Sequence, residues 1–197
     1  SEFKPKMLFL SETRTISNMS DNELSIPNYN LYRIDSQNRH TGGVACYILS
    51  SIKVDIFDCF SQQNIWSMSL KILYGYSKET FCLIYRGHKS TSPEFINFIE
   101  RTCEILASKS STFHLVGDFN YDFLDKSKSA PLIRKLKSFN LFQVVDSPTR
   151  EFKDSSTIID WVATNQKRLK PVVRNDCNIA DHNFICFDFF PRKNQSN

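Results

Sequence analysis

The chain has 197 residues, a formal net charge of +4, an apolar share of 41% and 17 phenylalanines. That suffices for one sizeable core, is short for two full domains, and excludes an intrinsically disordered chain. No apolar run approaches the roughly 20 residues that span a bilayer, and the opening SEFKPKMLFL meets Ser11 and Glu12 too soon for a signal peptide.

In chain order, short runs rich in β-branched and aromatic residues predict strands at MLFL, YNLYRI, GGVACYIL, IWSMSLKIL, FCLIYR, TFHLVGDF, STIIDWVA, PVVRN and NFICFDFF. Two stretches carry helical spacing instead. SPEFINFIERTCEILASK places Phe95, Phe98, Ile99, Thr102, Ile105 and Leu106 on one side and opens on Ser92-Pro93, a good helix start. SAPLIRKLKSFN turns Leu132, Ile133 and Leu136 inward. Many strands with few helices predict a layered α+β protein. Residues 1–3 read as a cloning remnant, residues 4–191 as one domain and residues 192–197 as a polar tail.

The six cysteines (Cys46, Cys59, Cys82, Cys103, Cys177 and Cys186) form no CxxC pair and no cysteine–histidine cluster. Buried free thiols in a reducing, intracellular setting, nuclear or cytoplasmic, are the expectation, and a zinc site is not. DKSKSAPLIRKLKSF and NQKRLKPVVR gather nine of the basic residues. Each alone is a solvated face; phosphate contact becomes the better reading only if a reaction centre lies nearby.

One pattern recurs. Glu12 follows MLFLS, Asp118 follows FHLVG, Asp160 follows STII, and Asp181 with His182 follows DCNIA. A glycine and an acid after a strand make an ordinary turn. Four apolar runs that each deliver an acid at the C-terminal side predict acids gathered along one rim of a sheet.

The neighbours of these acids carry a resemblance. SETRTISNMSDNELSIPNYNLYRIDSQNRHTGGVACYI resembles a block of the endonucleases of non-LTR (LINE-type) retrotransposons, within the endonuclease/exonuclease/phosphatase superfamily that includes apurinic/apyrimidinic endonucleases. LIYRGHKS, VGDFN, DSPTREFKDSSTIIDWVATN and ADH follow in the same order, so the likeness runs over residues 6 to 190. It implies a four-layer α/β sandwich, two mixed sheets flanked by helices, and a Mg²⁺-dependent phosphodiesterase (Mn²⁺ a possible substitute) that nicks DNA to leave a 3′-hydroxyl. A parent polypeptide with a reverse transcriptase is implied as well. Such relatives carry a further strand and helix ahead of the glutamate strand. Here only about ten residues precede Glu12, so the expected sandwich is N-terminally truncated, with an open sheet edge through which two copies could pair.

By the same resemblance, Glu12 and Asp181 serve the metal. Asp118 orients and deprotonates the attacking water, and Asn120 fixes water and phosphate. His182 stabilises the transition state with its ring held by Asp160, and Tyr85 reaches the phosphate. Arg86, Thr149, Arg150 and Ser156 are expected on the nucleic acid, with Ser155 and Thr157 bonding around Asp160. A domesticated domain that binds nucleic acid or protein with weak or no cleavage is the alternative. His40, His88 and His114 receive no role, and His114 is expected as a packed strand residue.

Overall fold

The computed structural model describes residues 4–73, 79–153, 155–166, 168–176 and 180–188. Its main element is a six-stranded mixed sheet of β4 (Lys53–Gln62), β5 (Ile65–Leu73), β6 (Thr80–Arg86), β7 (Phe113–Asp118), β11 (Asp160–Thr164) and β8 (Phe142–Gln143), in that spatial order. Only β6 and β7 run parallel. Their crossover is the helix α1 (Ser92–Lys109). A second helix, α2 (Lys126–Ser138), lies on the same face.

Side chains alternate across a strand, so each central strand feeds two cores. Cys82, Ile84, Phe113, Leu115, Trp161 and Ala163 face the helices and meet Phe95, Ile99, Cys103 and Leu132. Phe81, Leu83, Tyr85, Val116 and Val162 face the other way. There they meet a three-stranded antiparallel sheet, β2 (Tyr29–Ile34), β3 (Val44–Leu49) and β1 (Met7–Ser11), with β3 central. The short pair β12 (Val172–Arg174) and β13 (Phe184–Cys186) packs Val173 and Ile185 on the same core.

The α+β sandwich expected from the sequence is therefore present. Among the described residues both helices sit on one side of it, so the outer helical layer on the small sheet is not seen. Among the described residues β1 pairs with β3 alone, and no described strand lies on its other edge. No helix among the described residues is long and apolar enough to cross a membrane.

Three differences from the predicted elements have physical causes. β4, the longest strand, reads poorly because Lys53, Asp55 and Asp58 interrupt its apolar residues, as suits an exposed edge with a bulge between Ile56 and Asp58. The single run STIIDWVA splits. Ser155–Thr157 (β10) forms a hairpin with Arg150–Phe152 (β9), and a new strand, β11, begins at Asp160. α1 is capped one residue early, by Thr91, whose side chain accepts from the Glu94 N–H while the Glu94 carboxylate accepts from the Thr91 N–H.

Cys46, Cys82 and Cys103 are buried free thiols, Cys59 is exposed, and Cys177 lies outside the described residues. Burial pushes the Cys46 and Cys82 thiols up to about 12, which makes them inert. Residues 1–3 and the tail also lie outside the description. The basic residues of α2 form a solvated face, on which Lys128 pairs with Asp125 and Lys135 with Glu100.

Candidate active site

The site begins with a register. Tyr85 of β6 pairs with Asp118 of β7, and Asp118 pairs with Asp160 of β11. Directly paired residues share a sheet face, so all three side chains emerge at one end of the large sheet, toward the small sheet. The small sheet brings Glu12 to the same end, just past β1, on a backbone of positive φ.

Gly117 and Asn120 shape the turn that delivers Asp118. Gly117 has φ +130°, and a Cβ there would lie 2.0 Å from the Ile84 carbonyl oxygen on the parallel strand, so only glycine fits. Asn120 has φ +47°, a left-handed conformation that asparagine tolerates better than most residues. Its N–H donates to Asp118 Oδ1 at 2.8 Å, closing an Asx-turn, and its Nδ2 donates to the Arg86 carbonyl at 2.7 Å. The ordinary turn and the candidate site are thus the same few residues.

His182 arrives from a different segment. It bridges Arg150 in antiparallel fashion, and the next residue, Asn183, donates its N–H to the Thr149 carbonyl at 2.7 Å. The His182 Nδ1 lies 2.8 Å from Asp160 Oδ2. One ligand atom each from Asp118, Asp160 and His182 falls within 4.8 Å of the others. Among the described residues this is the one such cluster.

Its electrostatics are those of a site with surplus negative charge. Burial, then the facing charge of Asp160, pushes the Asp118 carboxyl up to about 8, with a smaller push from Glu12. Burial alone would pull His182 down, but the hydrogen bond and charge of Asp160, with Asp118 and Asp181 behind, raise it above its usual value. A cation among these carboxylates would relieve that repulsion. The chemistry of the donors, dispersed oxygens and one imidazole, fits a hard divalent ion that keeps some of its waters.

Two of the residues expected on the nucleic acid, Thr149 and Arg86, are buried. Thr149 is fully buried, and its hydroxyl oxygen accepts from the N–H groups of Ile159 and Asp160 at 3.2 and 3.1 Å. It braces the Asp160 segment and does not face a nucleic acid. Thr149→Val, which keeps the shape and removes the acceptor, is expected to cost about 1–3 kcal/mol by urea denaturation, since two buried donors lose their partner. Tyr85 is fully buried, with its hydroxyl on Thr41 Oγ1 at 3.2 Å; burial first, then Glu12 and Asp118, raises its pKa. Asp181 is half-exposed and held by Arg150 at 2.7–2.8 Å, which lowers its pKa and sets it apart from the three clustered groups. Glu12 pairs with Arg14 at 3.1 Å while its charge reaches Tyr85 and Asp118. Arg86 is buried and turned inward, and Ser156 is exposed on the β9–β10 hairpin.

Thr41 was not anticipated. It sits beside Gly42 and Gly43, both of positive φ, in a loop where Ser36 donates to the Asn38 and Thr41 carbonyls. The glycine pair is the signal that could have found it. His114 is buried, with Nε2 2.9 Å from Glu79 and Nδ1 2.8 Å from Thr164, far along β7 from Asp118.

Two sheets packed face to face, with both described helices on the outer side of the larger one, make an arrangement shared with solved structures of the endonuclease/exonuclease/phosphatase fold. Solved structures of that fold superpose over most of the chain. The endonuclease domain of TRAS1, a telomere-specific non-LTR retrotransposon, matches at TM-score 0.69 and 15% identity, covering 85% of this chain and 83% of its own. An endonuclease/exonuclease/phosphatase family protein from Leptotrichia buccalis matches at 0.64 and 18%, covering 93% and 87%. The 3′ phosphatase NExo from Neisseria, bound to a product DNA hairpin, matches at 0.67 and 14%, covering 94% and 89%. No protein-family model and no curated protein sequence matches the chain.

Proposed function

We propose that this chain is a divalent-metal-dependent phosphodiesterase of retrotransposon origin that nicks DNA and leaves a 3′-hydroxyl. The observation that carries this reading is the convergence of Asp118, Asp160 and His182 within 4.8 Å at the end of the sheet, with the charge of Glu12 acting on Asp118. The fold neighbours include a retrotransposon endonuclease domain and an enzyme bound to product DNA, which support the substrate class.

Glu12 and the facing carboxylates of Asp118 and Asp160 are the groups that would hold the ion, with Mg²⁺ the first candidate. When bound, the ion supplies Lewis-acid stabilisation of charge on the phosphoryl oxygens. The remaining work belongs to the chain's own groups. Asp118 takes the proton of a water aimed at phosphorus, and Asn120, whose Nδ2 donates to the Arg86 carbonyl and to Asp118, orients that water through its amide oxygen. Asp160 holds His182 by Nδ1, so Nε2 is free to donate to a phosphoryl oxygen. As an imidazolium it makes a charge-assisted bond roughly twice as strong as a neutral one.

Supercoiled-plasmid nicking with Mg²⁺, with EDTA, and with His182→Ala tests this. Metal-dependent relaxation is expected, cut by on the order of 10²–10³-fold in the variant, as when one stabilising donor is removed. Metal-independent nicking that His182→Ala leaves unchanged would sink the proposal. Salt-sensitive DNA binding without cleavage would favour a binding domain instead.

A further inference from the structure

We infer that Arg86 is a positioning residue: a buried, carboxylate-free guanidinium that locks the Asp118–Asn120 turn in its reactive shape from behind. This rests on the phosphodiesterase reading above and deepens it.

The geometry is unusual for an arginine. Arg86 is 8% exposed, and among the described residues no carboxylate lies within ion-pair distance of it. A buried charge without a partner is costly and calls for a reason. Its two terminal nitrogens donate to main-chain carbonyls instead, while Nε is buried with no hydrogen-bond partner among the described residues. Nη1 reaches the Asn120 oxygen at 3.0 Å and the Phe119 oxygen at 3.5 Å, and Nη2 reaches the Ser90 oxygen at 2.5 Å. In return, the Asn120 side chain donates to the Arg86 carbonyl at 2.7 Å. The link between Arg86 and Asn120 is therefore reciprocal, side chain to backbone in both directions.

The guanidinium plane is held by the rings of Tyr121 at 4.6 Å and Phe95 at 5.4 Å. Tyr121 lies one residue beyond Asn120 and Phe95 lies in the first turn of α1, so the clamp ties the turn to the helix. A planar fork with diverging donors suits this, and a lysine ammonium does not. What the clamp fixes is a left-handed Asn120, whose N–H in turn orients Asp118 Oδ1. Asparagine tolerates this φ and closes its own turn on Asp118, and Arg86 adds a restraint from outside the turn.

The test pairs kinetics with amide hydrogen exchange. Arg86→Lys keeps the charge and loses the fork. It is expected to lower the nicking kcat on the order of 10²-fold, as for a small misplacement of a reacting group, while KM for DNA stays within about threefold. In the metal-free protein the Asn120 amide is expected to exchange at least about tenfold faster, with the Leu106 amide unchanged. Tyr121→Leu, which removes the ring under the guanidinium, should show the same signature more weakly, and it decides the matter if Arg86→Lys does not fold. A raised KM with kcat preserved would overturn the proposal and return Arg86 to phosphate contact. A uniform rise in exchange across both amides would also overturn it, as a mere stability effect. If the wild type does not nick at all, the phosphodiesterase reading fails, and the exchange measurement still judges the clamp.

Discussion

Asp118→Asn is expected to abolish nicking and at the same time to stabilise the metal-free protein, by on the order of a few kcal/mol at pH 8. The sign follows from the burial of the carboxyl. Asp118 is 3% exposed and faces Asp160, so its folded-state pKa rises from an ordinary 3.8 to about 8. Between those values the folded chain keeps a proton that the unfolded chain has released. Stability is full below the unfolded value and is lost as pH rises through that window. Asparagine imitates the neutral acid and has nothing to lose. It keeps an acceptor for the Asn120 N–H and gives up only the longer 3.3 Å contact with the Asn120 amide. Urea denaturation in EDTA at pH 5, 7 and 9 checks this: the gap between variant and wild type should widen with pH. The His182 pKa is raised in part by the Asp118 charge, so the gap reports position 118 together with its coupling to His182. Added Mg²⁺ should narrow the gap at high pH, because an ion on the carboxylate offsets the charge that burial penalises. A gap that is flat with pH would mean Asp118 is ionised without strain.

Such strain marks where sequence reading succeeds and where it stops. The strand ends were legible, because FHLVGD and IIDWV carry apolar runs that stop at an acid. The register that sets Tyr85, Asp118 and Asp160 side by side was not. It depends on β6 and β7 lying parallel with α1 between them, and no local pattern states a pairing across 33 residues. The resemblance supplied the residue set without its contacts. So Thr149, expected at the nucleic acid, turned out to hold two backbone amides beneath Asp160, and Arg86 turned out to point at carbonyls. Threonine and arginine serve equally well as surface donors and as buried braces, and only burial separates the two uses. β4 was missed for the opposite reason, since a managed edge strand is written with the charges that propensity reads as loop.

Gly117→Ala is expected to cost about 3 kcal/mol or more, enough to unfold a marginal domain. Two independent penalties meet there. The residue's φ of +130° is open to glycine and strained for any other side chain, and the added carbon would stand 2.0 Å from the Ile84 oxygen and 3.0 Å from its carbonyl carbon. Both obstacles are backbone in a buried central strand, so nothing flexible can step aside. Relief would need β6 and β7 to part where Ile84 pairs with Gly117, one pair before Tyr85 and Asp118. The damage should therefore exceed ordinary destabilisation: any folded fraction would nick more slowly than its population predicts, because the carboxylate it presents has moved. Denaturation midpoints together with activity per folded molecule separate the two effects. A variant within about 1 kcal/mol of wild type and fully active would show that β6 and β7 can part without loss. The close approach at Gly117 would then be incidental to the placing of Asp118.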